Sequence, residues 1–202
     1  MNKSLILILL LIFSFNTVKA QFSKDHAIYY SDGLNIGNYV GLDFNLNYVY
    51  KEKYSVKLGY IYNTRKPKSQ PDDYSSGLAN ALLFEATNPH DKMENYQLAL
   101  GKIYSLNESG TIRVNLSIGL GYTVLNEPEN WQKIESGFVA ENYTWNYERQ
   151  NTFSLIINPK LEFPFTTIYG LSISPMVQLN KHRSYFGIGV GQMIGVLRSR
   201  KN

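Results

Sequence analysis

His182 and Ser184 stand two residues apart near the end of a 202-residue chain, the nearest approach in this sequence to a nucleophile beside its base. A serine hydroxyl needs an imidazole to take its proton and a carboxylate to hold that imidazole in the right orientation. No Asp or Glu follows Glu162, so the segment carrying the pair supplies no orienting acid. His26 and His90 have no second ligand at metal-binding spacing. The absence of cysteine removes thiolate metal sites, thiol catalysis and disulfides together. Gly187, Gly189 and Gly191 repeat every second residue, whereas a dinucleotide loop needs G-x-G-x-x-G. The chain is therefore read as having no catalytic, cofactor or metal site, and its information lies in how it is patterned.

Residues 1–20 carry Lys3, then an apolar run from Leu5 to Phe15, then Val18 and Ala20 at the −3 and −1 positions of a cleavage site before Gln21. This is the pattern of a secretory signal peptide. As a helix the run would rise only about 16 Å, roughly half a bilayer core, which is too short for an anchor. Cleavage removes Lys3 and Lys19 and no acid, leaving 18 basic residues against the 16 acidic ones. That near balance, with no basic cluster, points away from nucleic acid.

Beyond Gln21 the period is two. Val40, Leu42, Phe44, Leu46, Tyr48 and Tyr50 interleave with Gly41, Asp43, Asn45 and Asn47. Tyr54, Val56, Leu58, Tyr60 and Tyr62 interleave with Ser55, Lys57 and Gly59, and the even residues of 112–124 are apolar against Arg113, Asn115, Ser117 and Gly119. Residues 95–106, 153–165, 171–180 and 185–196 keep the same habit. Alternate residues of a strand face opposite ways, so each segment has one greasy face and one polar or small face. Lys102 is the single charge on the greasy faces, although 18% of the chain is charged. The other faces collect Asp43, Lys57, Arg113, Lys160 and Glu162. An 11-residue strand tilted by about 45° spans roughly 25 Å, the height of the apolar band of a membrane barrel. Residues 26–30, ahead of the turn-like Ser31-Asp32-Gly33, complete an even count of strands. Connections at 51–53, 107–110 and 166–170 are short. Those at 63–92 and 126–150 are long and alternate with them, while 31–38 and 181–184 are short connections on the long side. Pro159, Pro164 and Pro175 require bulges or broken ladder bonds.

This arrangement resembles the small OmpA/OmpX/OmpW-type outer-membrane β-barrels of Gram-negative bacteria. The resemblance covers residues 21–202, which form one domain. It implies an all-β fold, a transmembrane antiparallel up-and-down β-barrel of eight strands, placed in the outer membrane among lipid and lipopolysaccharide. It departs at the C-terminus, Arg198-Ser199-Arg200-Lys201-Asn202, where such proteins usually end on an aromatic residue. An eight-stranded barrel encloses room only for its own side chains. Asp43, Lys57, Arg113, Lys160 and Glu162 are therefore expected to form a polar network in a filled lumen, bonded to Asn45, Asn47, Asn115 and Gln97. The segment 126–150 holds Trp131, Tyr143, Trp145 and Tyr147, residue types that anchor binding surfaces. It is the candidate loop for an extracellular or surface partner. The expected function is a monomeric, non-enzymatic barrel with an envelope role or loop-mediated binding. Two alternatives stay open. His182 and Ser184 resemble the pair of outer-membrane lipid A deacylases, implying a lipid A-modifying hydrolase. A secreted lipocalin-like barrel could instead hold an apolar ligand, although its greasy residues would then have to face inward.

Overall fold

A computed structural model describes residues 25–78, 88–135 and 140–198; the expected signal segment lies outside them. The strands are β1 (His26–Gly37), β2 (Val40–Tyr50), β3 (Tyr54–Arg65), β4 (Asp91–Ser105), β5 (Arg113–Lys133), β6 (Tyr143–Ile157), β7 (Lys160–Phe163), β8 (Tyr169–Asn180) and β9 (Tyr185–Gly195). Apart from β6 and β7, consecutive strands pair antiparallel, β9 pairs back onto β1, and β6 and β7 together fill one position between β5 and β8. The sheet is a closed ring of eight.

Following one row of paired residues around that ring measures its slant. From Ile28 the row passes through Tyr48, Val56, Leu100, Ile118, Ile157, Val177 and Phe186. It returns to the first strand at Asn38, whose N–H donates to the Phe186 carbonyl. The row thus comes back ten residues further along, from Ile28 to Asn38. A stagger of this size makes strands tilt by about 35–45°.

The greasy faces point outward. Leu58, Leu100 and Leu120 are 61%, 61% and 67% exposed, which only an apolar solvent rewards. Phe44, Tyr60, Tyr96, Tyr122 and Phe153 form one unbroken cross-strand row over β2 to β6, with rings 5.1 Å apart at Tyr60–Tyr96 and 5.9 Å at Tyr122–Phe153. Lys102, the outward charge picked out in the sequence, pairs with Tyr54 next to a turn and lays its ammonium over Tyr104 at 5.2 Å. It can therefore reach the headgroups while its stem stays in the wall.

The sequence reading needs two corrections. Ser31-Asp32-Gly33 is no turn. It lies inside β1, laddered to β2 on one side and β9 on the other, and the chain reverses only at Asn38-Tyr39. Local turn preference yields because both neighbouring strands offer partners for its backbone groups. Likewise, 126–150 is mostly strand: β5 runs on to Lys133 and β6 starts at Tyr143. The hairpin rises past its neighbours, since β4 stops at Lys92↔Asn126 and β8 at Ser154↔Asn180.

The prolines produce a broken ladder without a bulge. β6 pairs with β8 down to Ile157↔Val177, and β7 resumes at Leu161↔Ile173 in the same register, which sets Pro159 opposite Pro175. Two residues without an N–H share one gap. Asn158 spans it, donating its side-chain amide to the Pro175 carbonyl at 3.1 Å and its backbone N–H to Ser117 O at 3.0 Å.

Candidate functional site

Inward residues stack in three zones. At the turn end Ala27, Tyr29, Val49, Ile103, Met193 and Leu197 form an apolar layer. At the loop end Tyr39, Ile61, Met93, Leu125, Ile156, Met176 and Tyr185 form another. Between them the interior is polar, with Asn45, Asn47, Asn95, Gln97, Thr123, Ser154 and Gln178 buried.

The five charged residues singled out in sequence do not form one network. Arg113 Nε donates to Glu162 Oε2 at 2.6 Å, with side chains 3% and 0% exposed. Glu162 also accepts from Tyr29 Oη at 3.0 Å and Asn115 Nδ2 at 3.4 Å, and Arg113 Nη1 reaches the Leu197 carbonyl at 2.7 Å. This is a pair whose lone pairs are met by further donors, the condition under which a buried charge is tolerated. Lys57 donates instead to a neutral partner, Asn158 Oδ1, at 2.6 Å. Asp43 accepts from Asn45 Nδ2 at 2.8 Å, and Gln97 donates to Asn45 Oδ1 at 3.1 Å. Lys160 is buried with no ion pair to a described residue.

Above the loop-end layer lies an ionic cluster that the sequence reading missed. Arg65 donates to Asp91 Oδ2 from Nε at 2.8 Å, and its Nη2 lies 3.7 Å from Glu127 Oε1. Arg183 Nε meets the same Glu127 oxygen at 2.6 Å. The Arg65 guanidinium sits 4.3 Å over the Tyr39 ring. Four residues from β3, β4, β5 and the β8–β9 connection thus cap the mouth. Their signal was weak because each stands at the limit of its alternating segment.

The hairpin aromatics are drawn together by residues the sequence reading did not name. Trp131 and Trp145 lie 5.2 Å apart, and Tyr74, from the connection between β3 and β4, meets Trp131 at 5.5 Å, Trp145 at 6.1 Å and Tyr143 at 6.5 Å. Trp131 Nε1 donates to Ser69 Oγ at 3.1 Å, which donates to the Pro128 carbonyl. Asp73 accepts from Lys133 Nζ and Tyr143 Oη, both at 2.6 Å. Those two hydrogen bonds hold its carboxyl below the usual range. Tyr147 stands apart, exposed, with Lys92 Nζ 5.2 Å over its ring. Three of the four aromatics therefore brace the hairpin and one remains presented.

His182 and Ser184 share a connection, but their contacts lead elsewhere. The backbone N–H of His182 donates to Asn180 Oδ1 at 2.9 Å, and the Ser184 carbonyl accepts from Asn38 at 2.8 Å. Glu127, the carboxylate bonded to this connection, is bound to the guanidinium of Arg183. His26 Nδ1 meets Tyr48 Oη at 2.6 Å, and His90 Nδ1 donates to the Asn88 carbonyl at 2.7 Å.

A closed antiparallel ring of eight, apolar and aromatic outside and polar within, defines the class: this is an outer-membrane-type β-barrel with transmembrane strands. A solved structure agrees on the fold. A major outer membrane protein from Thermus thermophilus matches with a TM-score of 0.51 over 84% of this chain and 99% of its own, at 13% identity. Ail from Yersinia pestis in a phospholipid bilayer nanodisc gives 0.49 over 85% and 99%, at 12% identity. Neisserial surface protein A gives 0.48 over 85% and 97%, at 9% identity. The sequence matches no protein-family model and no curated protein.

Proposed function

We propose that the protein is a non-enzymatic integral barrel of the outer membrane, exported with loss of residues 1–20. Its lumen is a structural core, and its β5–β6 hairpin presents a braced surface outside the cell. The observation that carries this reading is the division of labour in the fold. The wall is greasy outside and the lumen has an apolar layer at each end. The hairpin rises past its neighbouring strands and is stiffened by Asp73 and Tyr74 from another connection. A hairpin held in one conformation loses less entropy on binding than a mobile loop. Its presented residues are Tyr147, Thr144, Asn146 and Glu148, which are exposed. Lipopolysaccharide would surround the wall, and a surface partner would meet the hairpin. Asp43, Lys57, Arg113, Lys160 and Glu162 then hold the barrel together rather than guide a solute.

The test combines three measurements. Amine-reactive biotin applied to intact cells should label Lys133, the carbonate-washed membrane should retain the protein, and planar bilayers should show no steady channel current. Recovery from the soluble periplasm, or a stable current, would overturn the reading. Incubation with lipid A should release no fatty acid. Release that depends on His182 would put the hydrolase in its place.

A further inference from the structure

On β1 the outward positions are Ile28, Tyr30, Asp32, Leu34 and Ile36, and on β9 they are Phe186, Ile188, Val190, Gln192 and Ile194. Two of these do not belong against acyl chains. Asp32 and Gln192 are direct cross-strand partners near the middle of β1, and Gln192 Nε2 lies 3.4 Å from Asp32 Oδ2. Phe44 on β2 and Leu171 on β8 flank them in the same row. They border a shallow hollow in the outer wall of about 350 Å³, lined also by Leu34 and Leu42. Hydrocarbon offers neither donor nor acceptor, so an ionisable group at this depth marks a site with a partner. The neighbouring Tyr30 side chain and one long contact to Gln192 occupy part of the carboxylate and leave lone pairs open, and the glutamine keeps a second N–H and its carbonyl.

We propose that this patch is a lateral interface with a second copy of the same chain. Each Asp32 would accept a hydrogen bond from the other copy's Gln192. Three features favour a copy over another occupant. The patch carries its own acceptor and donor side by side, at nearly one depth, so a twofold axis along the membrane normal brings each onto its complement twice. The connections above this wall are short, at Asn38-Tyr39 and between β8 and β9, while the tall hairpin rises from the opposite side of the ring. Two barrels can thus approach here without their outer parts colliding. The flanking Leu34, Leu42, Phe44 and Leu171 are exposed and supply an apolar surround that keeps lipid from the polar centre. The interface departs from the monomer expected from sequence, where Asp32 was placed in a turn. It rests on the membrane-spanning reading.

The chain has no cysteine, so single cysteines report contacts cleanly. Leu34→Cys on the patch and Leu98→Cys on the far wall are refolded into phosphatidylcholine vesicles at one protein-to-lipid ratio and oxidised with copper phenanthroline. Heat-dependent gel mobility confirms in each case that the barrel has closed. Leu34→Cys should yield mainly disulfide-linked dimer, and Leu98→Cys only random collisions. Adding Asp32→Leu to Leu34→Cys should cut the dimer yield by about ten-fold, the change that 1.4 kcal/mol of lost association produces. Gln192→Leu, made in parallel, should do the same and serves if the first variant fails to close. Equal yields at the two cysteines, or a Leu34→Cys yield indifferent to both leucine substitutions, would overturn the interface. A parent chain that never shows heat-dependent mobility would strike at the membrane-spanning reading instead.

Discussion

Arg113–Glu162 at the turn end and Arg65–Asp91–Glu127–Arg183 at the loop end are both ionic clusters inside the same ring, yet water treats them differently. The Glu162 side chain is fully enclosed, whereas Arg183 is 36% exposed. The first therefore depends on the partners enclosed with it: Tyr29, Asn115 and the Leu197 carbonyl all contribute. The second can lose a contact and recover part of it from solvent. Depth, rather than the number of opposite charges, sets what each pair is worth.

The largest effect should follow from leaving one charge alone at the buried end. Glu162→Gln strands Arg113 and should cost about 3–5 kcal/mol in urea unfolding from vesicles. Replacing both partners, as Arg113→Met with Glu162→Leu, should recover most of that loss. A single variant no worse than the double one would show that the pair is not the critical element. A charge placed on the other side of the same wall comes next. Leu120→Arg, at an exposed mid-wall position, should cost about 2–4 kcal/mol in the same titration, the range for a cation near the bilayer midplane. At the loop end Glu127→Gln should cost only about 1–3 kcal/mol, because its hydrogen bonds to charged groups lie near water. A loss equal to that of Glu162→Gln would erase the contrast between the two clusters.

The smallest effect belongs to Asp73, which is open to solvent. Its carboxyl titrates below the ordinary range, so its contribution is present at neutral pH and fades only as pH falls below about 3.9, the unperturbed value. Trp131 and Trp145 are the only tryptophans. Their fluorescence should stay constant down to that range and change below it, and Asp73→Asn should show the acid signal already at pH 7 with global unfolding unmoved.

What could be read in advance follows from where the two solvents lie. Within the wall, lipid on one side and packed polar groups on the other impose a strict period, so β2, β3, β8 and β9 were legible almost to their ends. Above the wall lipid no longer meets one face of the hairpin, the period vanishes, and Glu127, Pro128 and Glu129 read as loop although they continue β5. Asp32 failed for the opposite reason: one polar residue on the lipid face, next to a glycine, looked like punctuation. The inward charges were visible by parity, but their partners were not. Parity says which way a side chain points, while the choice between Asn158 and an acid for Lys57 depends on registers summed around the ring. Tyr74 and Asp73 could not be joined to Trp131 and Tyr143 from their distant positions in the chain.

A closed ring has no end strand to peel, so opening it means separating two strands that are each zipped along their length. The place where Pro159 faces Pro175 is already partly unzipped, with Asn158 as its stitch. Amide protons flanking this seam should be the first in the wall to trade with heavy water, and the barrel's lifetime in the folded state should shorten most when that stitch is cut. Slowness to come apart, rather than equilibrium strength, is then governed by a single asparagine.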